Sequence, residues 1–240
     1  MSELSIRLAL LPGFMLDDTL WDDLIPLLPG SWHIQPIALP RGRTVNEIAA
    51  GVASRLSEPT VVLGFSMGGY VARALAASYP QLVKALVLVA TSARETPQDG
   101  TLLNGATPVV FKGLSRKAIQ RSLGPTHAED GALIDRVRAM SVRLGPEQYA
   151  WQSAVDRVGT PLRGIRCPTM VVAAGQDQLR SIEESEELVR EIPGAVLKVM
   201  DGTGHLVPLE NPGALADMLT NWACTMDQSD PVPFSHMTRC

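Results

Sequence analysis

The sequence predicts an α/β fold: a mostly parallel sheet of about six strands with helices on both faces. Three observations predict it. Short apolar runs rich in Val, Ile and Leu alternate with longer amphipathic stretches, the pattern of consecutive βαβ units. A chain of 240 residues fits one α/β domain. Hydrophobic residues make up 45% of it and charged residues 19%, which supplies apolar surface for a sizeable core.

The six strand-like runs are Ile6 to Leu11, His33 to Leu39, Thr60 to Phe65, Ala85 to Ala90, Thr169 to Ala174 and Val196 to Met200. Helix starts fall between them. Thr44 with Glu47 and Ser181 with Glu184 read as capping boxes, and Asn211 followed by Pro212 reads as an N-cap with proline at the first helical position. In the last helix Leu215, Leu219 and Trp222 share one face, which is core packing.

The alternation stops between Thr96 and Pro161, where three helical stretches replace strands: Ser115 to Leu123, Ala128 to Leu144 and Pro146 to Arg157. Residues 96–161 are therefore expected to form a helical cap inserted into a core made of 1–95 and 162–226. Leu133, Val137, Met140 and Leu144 recur at helical spacing and predict a buried face on the core or around a substrate. Residues 227–240 are polar, carry two prolines and read as a flexible tail.

Net charge is −4, so the chain as a whole gives no electrostatic reason to bind nucleic acid or an anionic membrane. No stretch approaches the roughly 18 apolar residues of a membrane span. Glu3, Arg7 and Pro12-Gly13 disqualify the first apolar run as a signal peptide. Cys167, Cys224 and Cys240 are odd in number and lack metal-ligand spacing, and read as unpaired thiols in a reducing compartment. A cytoplasmic protein is expected.

Gly64-Phe65-Ser66-Met67-Gly68 fits G-x-S-x-G. The pattern alone would occur by chance in about one chain of this length in twelve. Its context carries the weight: the β-branched run Thr60-Val61-Val62-Leu63 precedes it, and Gly69-Tyr70-Val71-Ala72-Arg73-Ala74-Leu75, a good helix former, follows. Strand, sharp turn and helix would hold Ser66 in a strained backbone with its hydroxyl exposed, and the flanking glycines would let strand and helix approach closely.

A serine hydroxyl needs a base during attack, normally a histidine oriented by a carboxylate. Of the four histidines, His33 begins a strand, His127 lies in the predicted cap and His236 lies in the tail. His205 follows the sixth run in the flexible Gly202-Thr203-Gly204-His205. Asp177, after the fifth run through Gly175-Gln176, is the preferred acid because an orienting carboxylate should approach from a neighbouring strand. Asp201, on the histidine's own strand end, is its rival.

Four motifs in this order resemble the α/β-hydrolase superfamily, and more narrowly its small capped esterases. They are Leu11-Pro12-Gly13-Phe14, Gly64-Phe65-Ser66-Met67-Gly68-Gly69, Gly175-Gln176-Asp177 and Gly204-His205-Leu206-Val207-Pro208-Leu209-Glu210-Asn211-Pro212. The resemblance implies the α/β-hydrolase fold and an oxyanion hole made by the backbone N–H groups of Phe14 and Met67. Pro12-Gly13 stands where the family often has His-Gly, a departure that bears on loop geometry. The family's leading hairpin is missing, so the sheet should be truncated at one edge.

Together these readings predict a serine hydrolase that cleaves a carboxylic ester or thioester through an acyl-enzyme on Ser66, with no metal and no organic cofactor. A lyase, synthase or carbon–carbon bond hydrolase of the same fold is the alternative, and a low-turnover ligand-binding protein another. From Lys112 to Arg166 ten basic residues face five acidic ones, giving +5 against −9 elsewhere. Such a basic cap would suit a carboxylated acyl chain, a coenzyme A ester or an acidic acyl-carrier protein, but solvated helix faces are the preferred reading of this charge. In size and in this charge the chain resembles the pimeloyl-acyl-carrier-protein methyl ester esterases.

Overall fold

The computed structural model describes residues 5–95 and 111–227, and the side chains of 226 and 227 are not part of that description. The expected tail from 228 onward, with His236 and Cys240, and residues 96–110 lie outside the described residues.

Six strands form one parallel sheet in the order β2-β1-β3-β4-β5-β6. They are β1 Arg7–Leu11, β2 His33–Pro36, β3 Thr60–Phe65, β4 Val83–Val89, β5 Thr169–Ala174 and β6 Val196–Met200. Three match the sequence runs residue for residue. β2 stops at Pro36, three residues early, because its one partner β1 ends at Leu11; Ile37 N–H makes the last bond, to the Leu10 carbonyl. β4 starts early at Val83, which pairs with Thr60; Lys84 then bulges outward before Ala85 resumes opposite Val61.

Alternate side chains point to opposite faces, so each strand feeds two cores. Ala9, Leu11, Val62, Leu86, Leu88 and Val171 pack under α1 Val45–Ala53, α2 Met67–Ser78 and α5 Ile182–Glu191. Leu8, Leu10, Leu63, Val87 and Val172 share the other core with Trp21, with α6 Val207–Glu210 and α7 Pro212–Asp227, and with α3 Arg116–Ser122 and α4 Gly131–Ser153. Each fully buried Val, Leu or Phe contributes about 1.5–3 kcal/mol. β3 and β4 are buried almost throughout, which explains why they read as continuous apolar runs.

Ser181 and Glu184 form the complete capping box, and Asn211 accepts from the Ala214 N–H at the start of α7. The other expected box is half formed. Thr44 accepts from the Glu47 N–H, but the Glu47 carboxylate turns to the N–H and guanidinium of Arg43, a stronger charged donor one residue upstream.

Between β4 and β5 the chain forms α3 and α4 and no strand among the described residues. α4 breaks at Gly145, whose φ of 77° and ψ of 178° are not helical, and resumes at Pro146. The buried stripe of α4 is centred on Ile134, Val137, Met140 and Ser141. Leu133 and Leu144, expected in that stripe, are half-buried at its margin. Ser141 replaces a hydrophobe there because its hydroxyl accepts from the Leu114 N–H and donates to the Arg138 carbonyl.

The chain leaves β1 for β2 on one side and then crosses back through α1 to β3 on the other side of β1. That switch point opens a crevice at the carboxyl ends of β1 and β3. The loops after β1, β3, β5 and β6 all meet there.

Candidate active site

Ser66 sits between β3 and α2 at φ 50° and ψ −110°, a strained conformation for a side chain with a Cβ. The turn holds because its N–H donates to Val89 and its carbonyl accepts from the Thr91 hydroxyl, both at the end of β4. A Cβ on Gly64 would lie 2.5 Å from the Gly68 carbonyl oxygen, and one on Gly68 would lie 2.3 Å from the Leu11 carbonyl oxygen. The two glycines are therefore required for strand and helix to cross as closely as they do.

His205 lies at the end of the loop after β6, and this loop is fastened from both sides. Gln176 N–H donates to Thr203 and Gly175 N–H to Met200, which ties the loops after β5 and β6 together. The Glu210 carboxylate accepts from Gly204 N–H and Leu206 N–H, one on either side of His205, and from Gly124 N–H beyond α3.

Ser66, His205 and Asp177 meet in one hydrogen-bonded line. His205 Nδ1 is 2.7 Å from Asp177 Oδ2, and His205 Nε2 is 2.9 Å from Ser66 Oγ. A carboxylate can only accept, so the ring proton belongs on Nδ1 and leaves Nε2 free to accept from the serine hydroxyl. The Asp177 side chain is fully buried, and its second oxygen accepts from Leu179 N–H and Arg180 N–H. The rival Asp201 is exposed and makes no contact with His205; its carbonyl accepts from Thr203 in a turn. His33 and His127 lie elsewhere, on β2 and after α3.

A cavity of about 500 Å³ opens over Ser66 and His205. Phe14 and Met67 both line it. Met67 is the first residue of α2, where an N–H has no helical acceptor, and the Phe14 N–H has no protein acceptor among the described residues. α3 and α4 supply the opposite wall, and Tyr149 of α4 packs edge-on to Phe14 with ring centroids 5.5 Å apart. The Gln152 side chain, also on α4, accepts from the Met15 N–H at 2.7 Å and fixes the loop after β1.

Two contributors escape a reading of the sequence. Glu210 and Gln152 act on the site through backbone N–H groups 86 and 137 residues away in the chain, Gly124 and Met15. Glu210 lies within the His205 motif, and that is its one signal; Gln152 has none.

The fold and this juxtaposition define a class. The chain belongs to the alpha/beta hydrolase family, whose model matches residues 9–218. It is 29% identical over 233 residues to a pimeloyl-[acyl-carrier protein] methyl ester esterase of Neisseria meningitidis serogroup B, covering 88% of this chain and 90% of that protein. It is 28% identical to a pyrrolizixenacetamide deacetylase of Xenorhabdus hominickii, with coverage of 88% and 87%. Among solved structures it resembles a thermophilic esterase from Thermogutta terrifontis in a malate-bound form. That similarity has a TM-score of 0.75 at 25% identity and covers 92% of this chain and 90% of the other. Among the described residues no helix is long and apolar enough to cross a membrane.

Proposed function

We propose that the protein hydrolyses carboxylic esters or thioesters through an acyl-enzyme on Ser66, with His205 as general base and Asp177 as its orienting acid. The observation that carries this reading is the unbroken Asp177–His205–Ser66 line at 2.7 and 2.9 Å beside the cavity. Ser66 Oγ attacks the carbonyl carbon while its proton passes to His205 Nε2. The tetrahedral oxyanion is held by the N–H groups of Phe14 and Met67, where loss of one such donor costs about 10² to 10³ in rate. Collapse releases the alcohol or thiol with the proton from His205, and water then repeats the sequence to free the acid.

In this reading residues 96–161 act as a helical cap over a core of 1–95 and 162–226, and substrate choice resides where α3 and α4 face Ser66. An ester carried by an acidic acyl-carrier protein, as in the name of the Neisseria relatives, suits the positive charge of residues 112–166. The unpaired thiols of Cys167 and Cys224 suit a reducing, cytoplasmic setting.

The test is pre-steady-state turnover of a nitrophenyl ester. A burst of nitrophenol equal to the enzyme, and its loss in Ser66→Ala together with fluorophosphonate labelling, are expected. Full activity in Ser66→Ala refutes the nucleophile; elimination without a covalent intermediate would favour the lyase of the same fold; labelling without turnover would favour a binding protein.

A further inference from the structure

The wall of the cavity beside Ser66 carries three guanidinium groups, Arg121, Arg157 and Arg180, and no carboxylate among the described residues. Their situations differ. Arg121 is exposed. Arg180 lies 3.7 Å from Glu184 and donates to the Leu179 carbonyl. Arg157 has neither an ion pair nor a hydrogen-bond acceptor among the described residues, and its Nε is buried without a partner. Its guanidinium lies 5.6 Å from the centre of the Tyr70 ring, one helical turn beyond Ser66 on α2.

A half-buried cation in this position is costly. Burial pushes the Arg157 pKa down; Tyr70 opposes that shift and Arg180 reinforces it. Buried charges are ordinarily paired, because removing a charge from water is repaid only by a counter-charge with good geometry. Among the described residues nothing supplies one here. The rest of the wall, with Leu16, Leu114, Ile119, Val137 and Leu206, is apolar and suits an aliphatic chain. A planar guanidinium with no acceptor among the described residues matches a carboxylate in a bidentate arrangement.

We propose that this cavity receives esters whose acyl chain ends in a carboxylate, and that Arg157 is the specificity-determining residue that binds that anion. The proposal rests on the hydrolase reading of the same site and adds to it the substrate class. An anion on the leaving half of the ester would share the chemistry but not the placement.

The test is binding without turnover. In the Ser66→Ala protein, ligand-observed NMR titration compares methyl hexanoate, monomethyl adipate, which adds a carboxylate at the far end of the acyl chain, and the hexanoate ester of glycolate, which carries it on the leaving half. Monomethyl adipate is expected to bind at least about tenfold tighter than methyl hexanoate, with the advantage shrinking as salt is raised. The ratio should fall to about one in Ser66→Ala/Arg157→Met and recover in part in Ser66→Ala/Arg157→Lys, which keeps the charge and loses the fork. Because each ratio is taken within one protein, a loss of folded fraction does not imitate the result, and the lysine variant serves if the methionine variant fails to fold. Equal affinities in the Ser66→Ala protein, a preference that survives both Arg157 substitutions, or a preference confined to the glycolate ester each overturn the proposal. Turnover of methyl hexanoate by the wild type decides the hydrolase reading separately.

Discussion

Replacing Asp177 by Asn tests the proposed orienting acid against its rival, with a magnitude that follows from the hydrogen-bond pattern. Asp177 Oδ1 accepts from Leu179 N–H and Arg180 N–H, at 2.7 and 2.9 Å, while Oδ2 faces His205 Nδ1. An asparagine keeps its oxygen toward the two backbone donors, so its NH₂ faces the imidazole. A donor there forces Nδ1 to accept, and the ring proton moves to Nε2. The histidine then offers a proton to Ser66 Oγ where it should take one. The near-isosteric change leaves the fold intact and removes the base. Where a triad aspartate has been changed this way, kcat falls by about 10⁴, or about 5.5 kcal/mol in the barrier. The assay is kcat on a nitrophenyl ester and the rate of fluorophosphonate labelling, which should fall together. Asp201→Asn, on an exposed turn, should change both by less than about twofold. An Asp177→Asn enzyme that retains a tenth of its kcat, or an Asp201→Asn enzyme that falls as far, refutes the assignment.

Three further outcomes are expected. Gly204→Ala places a Cβ 2.1 Å from the Gly124 nitrogen and 2.5 Å from the Leu123 carbonyl carbon, both backbone, so a loop must shift; thermal melts should show a loss of about 1–3 kcal/mol, with kcat reduced because His205 is the next residue. Glu210→Gln offers one acceptor oxygen and a donor where the carboxylate serves three N–H groups. It should cost about 1.5–3 kcal/mol in denaturant unfolding and lower kcat more than it raises KM; an unchanged kcat per folded molecule would make Glu210 purely structural. Asp17 is pushed up by burial but held below its ordinary 3.8 by the stronger combined pull of Arg143 and Thr19. Its folded pKa is depressed, so its contribution is present above about pH 4 and is lost as pH falls through the lowered value. The gap in Tm between wild type and Asp17→Asn should therefore be open at neutral pH and closed in strong acid.

The sheet was legible because strands buried on both faces leave uninterrupted apolar runs. Its deviations have local causes: β2 ends early because its partner β1 stops at Leu11, and β4 begins early at Val83 with an outward bulge at Lys84. Gly145-Pro146 was a visible break in α4, but the exact buried stripe was not. A shift of one residue, from Leu133 to Ile134, rotates a helix face by about 100° and depends on what the helix packs against. The tight turns that bring Ser66 and His205 together could be read from their glycines, because the crossing at Gly64 and Gly68 and the close approach at Gly204 admit no side chain. The preference for Asp177 over Asp201 could be argued from sheet geometry, and Asp177 is the carboxylate that lies against the His205 ring.

Charge was the least legible quantity, for a physical reason. The surplus of residues 112–166 is a sum, whereas recognition depends on which members of that sum lack a partner. Arg136 reaches Asp23, Arg143 reaches Asp17, Arg163 reaches Glu191 and Arg116 lies near Glu129, so four of the ten basic groups face carboxylates. Three of those acids lie outside the segment, so the count of +5 overstates the free charge and no local pattern reveals the pairing. Exposed pairs of this kind are worth about 0–1 kcal/mol and say little about ligands. Arg157 looks no different from the other nine in sequence. It becomes distinctive once the fold places it in an apolar wall beside Ser66, where its charge has lost water and, among the described residues, has not gained an acid.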